Sequence, residues 1–122
     1  MAQYSHLPIY NAAFVLLREL YERVPKFGKQ YKYLLGERLI GAMIEVIRLI
    51  VEINSMRDAR RRVELLETLV WHCESVIILL RIANELKQLG GEKSYLYLLE
   101  KSVVLSKQAE GWRKSASRWR AP

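Results

Sequence analysis

Arg57, Arg60, Arg61 and Arg62 fall within six consecutive positions and are opposed there only by Asp58. Cations this dense favour an anionic partner. Two further basic stretches flank this one. Arg23, Lys26, Lys29, Lys32 and Arg38 stand against Glu37 alone, and Lys101, Lys107, Arg113, Lys114, Arg118 and Arg120 against Glu110 alone. The stretches between them, 1–22, 39–56 and 63–100, are net acidic, so a formal charge of +7 over 122 residues is segregated rather than spread. Such patches attract polyphosphate with a steep salt dependence and little reading of sequence. An acidic protein is the alternative counterpart. Anionic lipid is a weaker one, because no helix has the free apolar face that membrane insertion uses.

Other arrangements are poorer in chemistry. Trp112 and Trp119 stand seven apart among basic residues, a spacing that would let both stack single-stranded bases from one helix face. The favoured reading is that Trp112 closes the core and Trp119 frays with the tail. His72, Cys73 and Glu74 are consecutive and diverge on a helix, unlike the i, i+4 histidines of a zinc helix. Gly36 and Gly41 are spaced as in a phosphate loop, but Ala42-Met43 stands where Lys-Ser/Thr is required. With one Asp, two His and one Cys, all dispersed, no acid and base converge. The expectation is a protein without catalysis, cofactor or metal. Glu19 with Arg23, Arg60 with Glu64, Arg81 with Glu85 and Glu110 with Lys114 have the spacing of solvated helix pairs.

The elements that must carry these groups are helices, since apolar residues recur at spacings of three and four between sparse prolines and glycines. The punctuation predicts helices over about 8–24, 31–54, 56–89 and 92–118, with a basic tail over 113–122. The first opens on Pro8, stops at Pro25 and presents Ile9, Ala13, Leu16, Leu17, Leu20 and Val24 at spacings of three and four. The second has one thin polar stripe, Arg38, Gly41, Glu45, Arg48 and Glu52, and is apolar elsewhere. Ser55 and Asp58 predict a capping box for the third, which stops at Gly90-Gly91. That helix carries two apolar stripes, Leu66, Val70, Cys73, Ile77 and Leu80 beside Leu65, Leu69, Val76, Leu79, Ala83 and Leu86. The fourth aligns Tyr95, Leu98, Ser102, Leu105, Ala109 and Trp112, with Ser102, Ser106, Ala109 and Gly111 small enough for close helix approach. Four arginines at the opening of the third helix oppose its dipole at a few tenths of a kcal/mol each, about 0.3 or more, so stability does not explain them.

Short connections make successive helices antiparallel neighbours, which predicts one domain over 1–122, an all-α, up-down-up-down four-helix bundle. That topology brings 57–62 beside 113–120 at one pole and the loop after the first helix to the other. Apolar surface beyond what one core can cover, on the second and third helices, predicts a homo-oligomer. A single cysteine, no signal-peptide order and no apolar run near the ~20 residues of a membrane helix point to a soluble cytoplasmic protein.

At these residues the chain resembles a known family. Leu7-Pro8-Ile9-Tyr10, the run Tyr31-Lys32-Tyr33-Leu34-Leu35-Gly36-Glu37-Arg38-Leu39, the junction Asn54-Ser55-Met56-Arg57-Asp58 and Gly111-Trp112 are similar in order and spacing to the Avd proteins. These are the accessory variability determinants of diversity-generating retroelements, related to four-helix proteins of ribosomal RNA intervening sequences. The similarity covers about residues 7–115; the family often has glycine near Ser106 and leucine near Ala109. It implies a basic four-helix bundle forming a homopentameric barrel, without catalysis, that binds a reverse transcriptase and its template RNA during error-prone cDNA synthesis. The intervening-sequence relatives imply instead an oligomeric scaffold with protein partners and loose nucleic-acid contact. Among the family-type positions, Gly36 and Gly111 are assigned to close packing, and Lys32 and Arg57 are left for phosphate or polymerase contact. The candidate nucleic-acid-binding set is Arg23, Lys26, Lys29, Lys32, Arg57, Arg60, Arg61, Arg62, Arg113, Lys114, Arg118 and Arg120.

Overall fold

The computed structural model describes residues 4–118, which are helical between short connections, with no strand among them. α1 (Pro8–Arg23) opens on its proline, whose missing N–H costs nothing in a first turn. It passes at Val24–Lys26 into one 3-10 turn around Pro25. The next helix starts earlier than predicted: Lys29–Tyr31 is already α-helical, Lys32–Gly36 widens into a π turn, and α2 (Glu37–Ser55) continues from it. α3 spans Ala59–Glu85 and α4 spans Glu92–Arg118.

α3 is shorter than its periodicity predicts, and each end has a local cause. Ser55 does not cap it. The Ser55 hydroxyl instead donates backwards to the carbonyls of Val51 and Glu52, at 3.4 and 3.1 Å, closing α2. The cap is Asp58, whose Oδ1 accepts from the N–H groups of Arg60 and Arg61 at 3.1 and 3.4 Å. At the far end Lys87 adopts left-handed backbone with φ 60°. The N–H groups of Gln88 and Lys87 then return to the carbonyls of Ala83 and Asn84, each at 2.9 Å. This Schellman stop ends the helix ahead of the two glycines, which take φ 81° and 125° in the turn that follows.

Ile9, Ala13, Leu16 and Leu20 of α1, Leu39, Met43, Val46 and Ile50 of α2, Leu66, Leu69, Val76 and Leu80 of α3, and Leu98, Leu105 and Ala109 of α4 bury one another in a single core. α1 and α3 each pack against both α2 and α4, giving a helical bundle. The two stripes predicted on α3 merge in part: Leu65, Leu66, Leu69, Cys73, Val76, Leu80 and Ala83 are buried, Val70, Ile77 and Leu79 are half-buried at the edges, and Leu86, past the helix end, is exposed. A Cβ on Gly36 would lie 2.4 Å from Val24 Cγ1, so glycine is what lets the π turn rest against the end of α1. Gly111 differs from its expected role. It is exposed, and nothing lies within 4 Å of where its Cβ would stand. Among the described residues no helix is long and apolar enough to cross a membrane.

Candidate nucleic-acid interface

The start of α3 meets the end of α4. Arg62 is half-buried with its guanidinium 5.7 Å from the centre of the Trp112 ring, a cation–π contact that ties the two helices. Arg57, Ala59, Arg62, Trp112, Ser115 and Ala116 line a cleft of about 490 Å³ between them. Arg60 and Arg61 are exposed in the first turn, where Asp58 is committed to their backbone N–H groups. The expected Arg60–Glu64 pair is replaced by Arg61 with Glu64 at 3.4 Å, more than half exposed on both sides and so worth little. Among the described residues, Arg57 and Arg60 pair with no carboxylate.

On α4, Glu110 was expected to pair with Lys114 and pairs instead with Arg113, which donates to it through Nε at 3.0 Å and also through Nη2. That hydrogen bonding holds the Glu110 carboxyl below its usual range and the Arg113 guanidinium above its own. Arg113 is therefore partly neutralised, while Lys114 and Arg118 are exposed. Arg120 and Trp119 lie outside the described residues.

The other basic group gathers at the opposite end of α1. Arg23 is drawn inward: Nη1 bonds Glu19 Oε1 at 2.5 Å, Nε donates to Ser94 Oγ at 2.8 Å, and the guanidinium lies 5.6 Å from the Tyr97 ring centre. Tyr97 in turn donates its hydroxyl to Glu19 Oε2 at 3.2 Å. The Arg23 hydrogen bond chiefly lowers the Glu19 carboxyl pKa, against the opposing effect of burial. Arg23 thus ties α1 to α4. Lys26 and Lys29 are exposed and Lys32 half-buried. Lys26 borders a cleft with Glu22, Arg23, Lys87, Gln88 and Ser94. Lys87 was missed in the sequence, where it lies in a net acidic stretch; the α3–α4 turn brings it here. Gln88 locks the two loops together, accepting from the Gly28 N–H at 2.7 Å and donating to the Leu86 carbonyl at 2.7 Å.

Such an arrangement can hold anions. No family model, no curated protein and no solved structure matches the chain. Among the described residues no group of three His, Cys, Asp or Glu is placed to hold a metal ion. Cys73 is buried, and desolvation, then the nearby Glu74, push its thiol up to about 12.

Large apolar side chains also remain in water. On α3 these are Trp71, Ile78 and Ile82, which lie on neither predicted stripe but on the side turned away from the core. On α1 and α2 they are Phe14, Tyr21 and Ile44. Half-buried Leu17, Ile40 and Ile47 lie on the same sides of those two helices at helical spacing.

Proposed function

We propose that this chain is a non-enzymatic accessory protein of a diversity-generating retroelement, of the Avd type, that binds template RNA and the reverse transcriptase to support mutagenic cDNA synthesis. It acts in the cytoplasm as an up-down-up-down bundle assembled into a homopentamer. The observation that carries the nucleic-acid part is the free pair Arg57 and Arg60 at the positive end of α3, beside the Arg62–Trp112 contact. Cations at that place oppose the helix dipole beyond what the Asp58 cap offsets, and a bound polyanion would compensate them. The end-to-end contacts Arg62 with Trp112, Arg23 with Ser94 and Gly28 with Gln88 support the alternating helix direction. The exposed apolar side chains of α1, α2 and α3 support assembly. The polymerase partner and the number five rest on the resemblance of the four residue runs.

Phosphate contacts of this kind hold a strand without reading it, which suits a template presented to a polymerase that copies it. Replacing Arg57, Arg60 and Arg61 together by Ala weakens binding of single-stranded RNA by at least about tenfold at low salt while the melting temperature stays unchanged or rises. Equal affinity in that variant places the site elsewhere.

A second reading is an oligomeric scaffold of the intervening-sequence type, with protein partners and weak nucleic-acid contact. The exposed row Trp71, Ile78 and Ile82 favours it, because such a surface suits another protein better than a strand of phosphates.

A further inference from the structure

Trp112 is a wall shared by two clefts of opposite character. On one side lies the cationic cleft of Arg57 and Arg62. On the other, Leu7, Pro8, Ile9, Gln108 and Gly111 line a mostly apolar cleft of about 380 Å³ with the same indole. Both are within the size range of small-ligand sites, about 300–1,000 Å³. Gln108 Oε1 is buried and has no hydrogen-bond partner. A buried carbonyl left unpaired is costly, and an N–H or O–H donor brought to it would satisfy it. Gly111 also lines this cleft: it sits exposed inside a 27-residue helix, where glycine is unfavourable, and a Cβ there would meet nothing within 4 Å.

Resting on the nucleic-acid reading above, we infer that this pair of clefts is a single-nucleotide subsite for single-stranded RNA. An amine-bearing base, adenine or cytosine, enters the apolar cleft beside Trp112. Its exocyclic N–H₂ donates to Gln108 Oε1, which the soft terminal torsion of the glutamine turns toward it. The nucleotide's phosphate lies on the far side of the indole, against Arg57 and Arg62. The Arg62 guanidinium over the ring serves both halves, holding the indole in place and facing the phosphate. The subsite adds a preference among bases to a surface that otherwise reads only charge.

The test measures binding of the whole chain to three short RNA strands of one length: oligo-adenosine, the same strand with purine in place of adenine, and an abasic strand. Wild type binds the adenine strand about 3- to 10-fold more tightly than the purine strand, the range of one hydrogen bond made in a desolvated cleft. Gln108→Met, which is close to glutamine in length and shape and lacks the carbonyl acceptor, loses that ratio. Gly111→Leu, whose side chain projects into open space, loses the advantage of either base over the abasic strand and keeps a wild-type circular dichroism spectrum. Equal wild-type affinity for the adenine and purine strands overturns the subsite. If all three strands bind equally with a steep salt dependence, the phosphate-binding reading survives and the subsite alone fails; if none binds, both fail.

Discussion

At the scale of single residues, the cations divide into those already used by the fold and those left over, and the division follows from reach. Arg23 and Glu19 lie one turn apart on α1 and face α4, so Ser94 and Tyr97 complete their coordination. The Glu19 carboxyl titrates below its usual value of 4.5 because Arg23 holds the charged form. A depressed folded-state pKa contributes stability above the unfolded value, and the contribution is lost as pH falls through the folded value. Glu19→Gln therefore lowers the melting temperature at pH 7 by an amount corresponding to about 0.5–1 kcal/mol, and the deficit closes at pH below about 4. Thermal denaturation of both proteins across that range checks it; a deficit independent of pH would assign the loss to packing. Glu19 with Arg23 was legible from sequence. Arg61 with Glu64 and Arg113 with Glu110 were not, because residues three and four apart are both neighbours on a helix and spacing alone does not choose between them.

At the scale of elements, the ends are decided by one or two hydrogen bonds that apolar periodicity does not register. Apolar spacing carried α3 to the glycines, but the helix stops short of Lys87, a residue in a backbone region that glycine occupies more readily. Lys87→Gly stabilises the fold by about 1 kcal/mol, a rise of roughly 4 °C in melting temperature, through relief of that strain. Gly36→Ala does the reverse, costing about 1–3 kcal/mol as its Cβ meets Val24. Denaturant unfolding of the two variants gives both numbers; loss of stability in Lys87→Gly would mean that its side chain, and not its backbone, matters. The start of α4 at Glu92 and the buried positions Ile9, Ala13, Leu16 and Leu20 of α1 were legible because proline, glycine and spacing of three and four agree there. The π turn over Lys32–Gly36 was not, since its cause is the close approach of Val24 and not any local residue preference.

At the scale of the molecule, two surfaces leave work undone inside one chain. The basic group at the start of α3 was legible as a cluster, and its meeting with Trp112 follows from the short connections that make successive helices neighbours. Lys87 and the Gln108 cleft were not legible, because each depends on how a turn or a side chain closes in three dimensions. The apolar excess was expected on the second and third helices; the exposed set includes α1 as well, through Phe14 and Tyr21, and α4, through Leu96 and Val104. Light scattering at micromolar concentration returns a mass several times 14.3 kDa. A monomer there would remove the assembly from the account.

The central claim, that the cations at the bundle's poles are there to neutralise phosphate, is tested most directly by titrating single-stranded RNA binding against salt. Each phosphate neutralised on a single strand contributes about −0.7 to the slope of log K against log salt. Wild type gives a slope of about −2 to −4, and the variant lacking Arg57, Arg60 and Arg61 is shallower by about 2. A wild-type slope near zero, with binding intact, would contradict the claim.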